Sequence, residues 1–243
     1  MDTLDEAFWR SAIFSRQEMR LNHVSAHKYG DRRALGVYRI VAACLMFVLF
    51  TFLTVYLSVE GSNRFYMCYA WWVSLGTFTF FGLSLVSLKA YFVENASDEE
   101  MDQSDGTHPF YLWKLVTFMY GFWLQAGLHL ITLLGLHTIG TPLFQILVYA
   151  GPSALLVGDL VFNRIYLSVS VLAWYLLITY SCYFIYESFI RVDPYAELPV
   201  EFTIFAVDQP WGVNLALPLI VSTATYMVNR LRLWLLEAGD IAS

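Results

Sequence analysis

Four side chains able to take part in chemistry fall at a similar depth near one end of the apolar segments that contain them. Counted at about 1.5 Å per helical residue, a thiol, two imidazoles and a phenol share this level: Cys68, His129, His137 and Tyr149. A cysteine attacks only as the thiolate, which needs a base or a positive field nearby. We therefore consider Cys68 as a nucleophile with His129 as its base. Tyr149, His137 and Pro152 would line the pocket.

The alternative is that the same side chains only pack. His129 would then bond a neighbouring helix, Tyr149 would belong to an aromatic belt at a membrane surface, and Cys68 would fill space. The three cysteines have neither metal-ligand spacing nor the pattern of a disulfide framework; they are Cys44, Cys68 and Cys182. The sequence predicts no metal and no cofactor.

Other polar and bending residues of these segments favour structural roles. Gly151 and Pro152 predict a bend beside Tyr149 that frees backbone carbonyls, and a ligand groove could form there. Asp159, near the end of the fourth span, is predicted to pair with Arg164 and close the tight turn before the fifth. Glu187 and Arg191, spaced i and i+4, are predicted to form a second structural ion pair.

The composition defines the elements that hold these residues. Apolar residues make up 58% of the 243-residue chain and charged residues only 14%, against about 25% charged in soluble domains. A membrane span needs about 20 apolar residues, and the stretches that qualify are Val37–Val59, Phe65–Val93, Tyr111–His137, Leu143–Phe162, Tyr166–Ile190 and Val213–Leu236. We expect an all-α, polytopic membrane protein with six transmembrane helices and short loops.

The distribution of basic residues predicts the orientation. Of the 14 Lys and Arg residues, all but Arg64 and Arg191 fall on one side of this topology, which predicts that both termini are inside. That side is the cytosol or the mitochondrial matrix, and the membrane is the mitochondrial inner membrane, an endomembrane or the plasma membrane.

Three units follow from this topology. Residues 1–36 form an inside tail, in which a capping box at residues 3–6 predicts an amphipathic helix on the membrane surface. Residues 37–237 form the six-helix transmembrane domain, and residues 238–243 form a second inside tail. A net charge of −6 argues against nucleic acid as a partner.

Three stretches resemble one family: RFYMCYAWW at the second span, YAGPSALLVGDLVFNRI in the fourth, and VDQPWG before the last. The chain resembles the superfamily that joins rolling-stone proteins with androgen-induced membrane hydrolases. The resemblance implies a six-span fold and cleavage of fatty acid esters of hydroxy fatty acids by a Thr nucleophile and a His. The Thr position falls on Cys68 and the His position on Tyr149, so both depart from the pattern.

Three functions remain open from the sequence. The first is a non-catalytic six-span protein that serves as an accessory or structural subunit of a larger membrane complex, with membrane lipids and other membrane subunits as partners. The second is an intramembrane fatty acid ester hydrolase using Cys68 and His129. The third is a small transporter, which the scarcity of charges in the spans disfavours.

Overall fold

The structure is a computed structural model, and it describes residues 32–59, 69–93, 110–136, 143–163, 165, 167, 169–185 and 211–242. Six α-helices occupy these ranges: α1 Arg32–Val59, α2 Tyr69–Val93, α3 Phe110–Leu136, α4 Leu143–Phe162, α5 Val169–Ile185 and α6 Trp211–Ala242. Nothing in the described ranges is a β-strand. The predicted all-α fold is therefore confirmed, and each predicted span overlaps one helix.

Two helix ends extend beyond the predicted spans. Helix α1 begins at Arg32 rather than at Val37, and α6 continues to Ala242 rather than stopping at Leu236. The predicted bounds followed the apolar run, whereas Arg, Leu, Glu and Ala all have good helix propensity and extend the helix through polar sequence.

Two helical segments are long and apolar enough to cross a membrane within the described ranges. They are Ala34–Val59 in α1 and Leu115–Leu133 in α3. The described parts of α4 and α5 contain shorter apolar segments, Ile146–Phe162 and Val169–Ile185. Association with a membrane is therefore indicated by length and composition in these helices.

Consecutive helices run antiparallel. Between α2 and α3, the Tyr69 hydroxyl donates to the Ala126 carbonyl (3.2 Å), while Phe80 packs on Tyr120 with ring centroids 5.1 Å apart. Residue numbers therefore increase along α2 in the direction in which they decrease along α3. The same relation holds between α1 and α2 and between α3 and α4. Helix α5 runs parallel to α3, as the contacts Gly121–Val171 and His129–Tyr175 show. Helix α6 runs the opposite way, as the contacts Ser222–Gln125 and Arg232–Asn163 show.

The buried apolar side chains form two clusters, one toward each end of the bundle. The first half of α1 packs with the second half of α2, the first half of α3 and the end of α4. The second half of α1 packs with the start of α2, the end of α3 and the start of α4. We refer to these two ends as the Arg39 end and the His129 end.

Large apolar side chains face outward. Val48, Phe184 and Trp234 are 65%, 61% and 63% exposed, and such residues occur on all six helices. The interior holds polar and charged side chains beside its apolar ones, with Arg39 and Asp159 both at 0% exposure. Arg and Asp are almost never fully buried unless they are paired, and apolar patches of this extent are rare on soluble domains.

Candidate functional site

A buried ion pair joins the first helix to the fourth. Arg39 Nε donates to Asp159 Oδ1 at 2.8 Å, and Arg39 Nη2 donates to Asp159 Oδ2 at 3.1 Å, with both side chains 0% exposed. This bidentate geometry is the strongest form of a guanidinium–carboxylate contact. Because each charge would be costly to bury alone, the pair constrains α1 and α4 to this register.

Asn163 extends the pair toward the last helix. Its Nδ2 donates to Asp159 Oδ2 (2.5 Å), and its Oδ1 accepts from the Ile165 backbone N–H (3.0 Å) and from Arg232 Nη2 (3.3 Å). Arg232 Nη1 in turn donates to Asn229 Oδ1 (3.2 Å). We term these side chains the Arg39 network, which comprises Arg39, Asp159, Asn163, Asn229 and Arg232. The network links the start of α1, the end of α4 and the second half of α6.

Aromatic side chains enclose the Arg39 network. The Tyr38 hydroxyl donates to the Leu155 carbonyl (2.5 Å) and the Tyr120 hydroxyl to the Leu156 carbonyl (3.1 Å). The Arg39 guanidinium lies over the Phe80 ring, 6.0 Å from its centroid. Gly158 has no side chain to displace the Tyr38 hydroxyl, which occupies the space that a Cβ would need. The three rings therefore shield the ion pair, and the two tyrosine hydroxyls also bond α4.

A neutral polar cluster lies toward the other end. His129 is 1% exposed, and its Nδ1 lies 2.8 Å from the Tyr175 hydroxyl, with the donor set by the histidine tautomer. The Tyr69 ring packs against His129 with centroids 5.7 Å apart. We term Tyr69, His129 and Tyr175 the His129 cluster. It joins α2, α3 and α5, so the two polar sets together include one residue or more from every helix.

The predicted pocket is described in part. Tyr149 is 7% exposed and belongs to the same apolar cluster as Tyr69 and Tyr175, so it lies at the His129 end as expected. Pro152 is buried within α4, which continues without a break to Phe162. Two other predicted members, Cys68 and His137, lie outside the described residues.

The predicted ion pairs have a different outcome. Asp159 is indeed in a structural ion pair, with Arg39 as its partner in the described part of the chain. Arg164, the partner predicted from spacing, lies outside the described residues, as do Glu187 and Arg191. Arg39 was counted among the basic residues that set the orientation, whereas its side chain is buried inside the bundle. Its charge is neutralised by Asp159 rather than by water or lipid headgroups.

Several members of the two polar sets were missed by the sequence analysis: Arg39, Asn163, Asn229, Arg232, Tyr69 and Tyr175. Some carried a signal. Asp159 and Asn163 are spaced four residues apart and Asn229 and Arg232 three, so each pair shares a helix face. Arg39 is an ionisable residue within an apolar run, which is itself a reason to expect a buried partner. Tyr175 carried no such signal among the many tyrosines of this chain.

No family model matches the chain, and nothing similar is found among curated proteins or among solved structures. In the part of the chain that the structure describes, no three His, Cys, Asp or Glu side chains are grouped as metal ligands would be. The contacts of the described site are hydrogen bonds and an ion pair between helices.

Proposed function

We propose that this chain is an integral membrane protein of six transmembrane helices, with both termini on the inner side, and that it serves as a structural or accessory subunit of a larger membrane assembly. The observation that carries the proposal is the set of large apolar side chains exposed on all six helices, around an interior that contains a buried ion pair. Ionic and polar side chains hold the helices together from within, and large apolar side chains cover the outside. Hydrocarbon around the helices makes this arrangement stable, whereas water would not.

The antiparallel order supports the six-span topology. An even number of alternating helices returns the chain to the end where it started. In the Arg39 network, Arg39 near the start of α1 and Arg232 near the end of α6 are joined through Asp159 and Asn163. The first helix therefore begins, and the last one ends, at the same end of the bundle. This supports an even number of spans, with both termini on one side of the membrane.

The use of the polar groups supports a structural role. Arg39, Asp159, Asn163, His129 and Tyr175 all bond residues of other helices or of the turn after α4. Buried polar groups used in this way specify which helices meet and in which register. The outer surface, with an exposed Phe, Trp or Leu on every helix, suits lipid tails and neighbouring subunits equally.

Topology is tested with tags at each terminus in sealed native vesicles. We expect the protein to remain in the membrane after extraction at alkaline pH. We also expect both tags to respond alike to added protease, either both cleaved or both protected. Release from the membrane, or cleavage of one tag alone in a homogeneous vesicle population, would contradict the six-span proposal.

The subunit role is tested by solubilising native membranes in a mild detergent and sizing the tagged protein. We expect migration well above the mass of a 27.9 kDa chain with its detergent, together with co-purifying membrane proteins in fixed ratio. Migration as a monomer with no companion protein would count against an accessory subunit while leaving the membrane topology intact.

A lipid ester hydrolase is the second candidate, and one contact favours it. Tyr69, which directly follows Cys68 in the chain, packs against His129. If the thiol attacked an ester, His129 would accept its proton and later return a proton to the departing alcohol. Together with the resemblance to androgen-induced membrane hydrolases, this supports a fatty acid ester as the substrate class.

An ester-like activity probe tests the hydrolase. Labelling is expected in the native protein, loss of labelling in Cys68→Ala, and retention in Cys182→Ala, which removes a lipid-exposed thiol instead. Labelling that survives Cys68→Ala, or an unlabelled native protein, eliminates Cys68 as the nucleophile.

A further inference from the structure

Two buried donors of the Arg39 network have no hydrogen-bond partner among the side chains that the structure describes. They are Arg39 Nη1 and Asn229 Nδ2. Arg39 is 0% exposed and Asn229 is 1% exposed, so water at the surface of the bundle does not satisfy them. A buried donor without an acceptor is costly, and more so when the donor is charged. Two such donors in one network point to a missing acceptor.

The charge balance of the network specifies what kind of acceptor is missing. Two guanidinium groups, Arg39 and Arg232, are connected to one carboxylate, Asp159. The network therefore has one excess positive charge. Arginine has five N–H donors, and the contacts described for Arg232 use one on Nη1 and one on Nη2. The unused groups of the network are therefore N–H donors beside a net positive charge, and an anion is the acceptor that matches both.

The position of Arg232 shows how a ligand would reach the network. Its side chain is only partly buried, unlike Arg39, Asp159 and Asn163. Arg232 Nη1 contacts Asn229 Oδ1 at 3.2 Å, and Asn229 Nδ2 is only about 2 Å from that oxygen within the same amide. Asn229 Nδ2 itself is shielded from water, so an anion beside Arg232 contacts it only after the covering side chains move aside.

We propose that the Arg39 network is an anion-binding site for a single phosphate group, with Arg232 as its direct contact and the unpaired Asn229 donor behind it. Arginine pairs with phosphate through two parallel N–H···O bonds, and a phosphate provides several acceptors on one centre. The phosphate is that of an acidic membrane lipid headgroup or of a soluble phosphate, which share this chemistry.

The assignment of the phosphate to a lipid headgroup rests on the proposed six-span topology. In that topology the Arg39 end is the inner surface, where anionic headgroups are concentrated and are attracted to Arg and Lys. Helix α6 runs past Arg232 with Trp234 and Leu235 facing outward, so acyl chains would have an apolar surface next to the headgroup site.

The test measures thermal unfolding of the full-length protein in a non-ionic detergent. Short-chain phosphatidylglycerol, short-chain phosphatidylcholine and inorganic phosphate are titrated separately. A ligand that binds only the folded state raises the unfolding midpoint with concentration. We expect a larger rise with phosphatidylglycerol than with phosphatidylcholine, and a half-saturating concentration is read from each titration.

Three variants assign the effect to the site. Arg232→Gln removes a direct contact, and Asn229→Asp replaces the unpaired donor by an acceptor of the same shape with a negative charge. Each is expected to raise the half-saturating concentration by about tenfold or more, which corresponds to the loss of one charged contact. Arg230→Gln is the matched control, since Arg230 is exposed and contacts Tyr226 instead, and it is expected to keep the native response.

Each outcome decides the proposal. A rise with phosphatidylglycerol alone assigns the site to a lipid headgroup, and a rise with inorganic phosphate as well assigns it to any accessible phosphate. No rise with any of the three ligands, or equal losses in Arg230→Gln and Arg232→Gln, overturns the site. Flotation of the same preparations with phosphatidylcholine liposomes is measured in parallel. Failure to float contradicts the membrane proposal, whereas flotation without a ligand response contradicts only the phosphate site.

Discussion

The two ends of the bundle are held together by different kinds of polar contact. At the Arg39 end a charged pair and two amides connect α1, α4 and α6. At the His129 end one neutral imidazole–phenol contact and a tyrosine–carbonyl bond connect α2, α3 and α5. Both sets are buried, but only one of them contains charge. The helices at one end are therefore specified by contacts that are very costly to break, and those at the other by contacts of ordinary strength.

The difference follows from what each contact leaves behind when it is broken. Removal of one ion of a buried pair leaves the other ion uncompensated in a low-dielectric interior. Removal of one neutral partner leaves an unsatisfied nitrogen or oxygen, at a smaller cost of about 1–3 kcal/mol. Substitutions at matched positions should therefore lower the free energy of unfolding more at the Arg39 end than at the His129 end.

The largest effect is expected from Asp159→Leu. It leaves the Arg39 guanidinium buried without its carboxylate, and we expect a loss of about 3–5 kcal/mol in the free energy of unfolding. The measurement is reversible unfolding in mixed detergent micelles. Arg39→Met combined with Asp159→Leu removes both charges and is expected to recover most of the stability. If the double variant is as unstable as the single one, the cost does not come from the unpaired charge.

A smaller effect is expected from Tyr175→Phe at the other end. It leaves His129 Nδ1 without the hydroxyl at 2.8 Å, and the expected loss is about 1–3 kcal/mol. Tyr226→Phe, at a partly buried tyrosine that accepts a bond from exposed Arg230, is the control and should change stability by less than about 0.5 kcal/mol. A loss for Tyr175→Phe as large as that for Asp159→Leu would remove the distinction between the two ends.

Packing beside the ion pair can be tested with glycine. A Cβ at Gly158 would overlap the Tyr38 hydroxyl, which donates to the Leu155 carbonyl. Gly158→Ala is therefore expected to cost about 1–3 kcal/mol through overpacking. Gly82→Ala in α2 meets no atom within 4 Å and should stabilise its helix by up to about 1 kcal/mol. Unfolding midpoints of the two variants that shift in the same direction would show that space around Gly158 is not limiting.

The smallest effect is expected where a polar contact lies outside both sets. Trp71 Nε1 donates to Thr54 Oγ1 at 2.9 Å between α1 and α2. Thr54→Val keeps the shape and removes the acceptor, at an expected cost of about 0.5–1.5 kcal/mol. Thr51→Val, one turn earlier on an exposed position of α1, should leave the unfolding midpoint unchanged. A larger loss at Thr54 than at Tyr175 would reverse the ranking.

The fold class and the helix positions could be predicted from the sequence because hydrophobicity is a local property. Runs such as residues 37–59 are too long and too apolar for strands or loops, and the structure has a helix in each predicted stretch. Asp159 could also be singled out as structural, since a carboxylate within an apolar run needs a partner. For His129 the sequence left two readings open, the base for Cys68 or a contact with a neighbouring helix, and the structure shows a contact with Tyr175.

Partner identities could not be predicted in this way. Asp159 pairs with Arg39, 120 residues away in the chain, and His129 bonds Tyr175, 46 residues away. From the sequence, only partners nearby in the chain can be proposed, and this favoured Arg164 for Asp159. Which face of α1 meets α4, and which tyrosine of α5 meets His129, depends on helix rotation. That rotation is set by the packing of the whole bundle, including close approaches such as Gly127 on Ser153.

The sequence by itself determined that this chain forms long apolar helices with a few polar residues inside them, because each stretch of residues has its own hydrophobicity and helix propensity. Only the tertiary structure decided that α1, α4 and α6 meet through charges while α2, α3 and α5 meet through a histidine and tyrosines. The reason is geometric: a helix presents every side chain at a fixed angle about its axis, and only packing against its neighbours selects which of those angles faces inward.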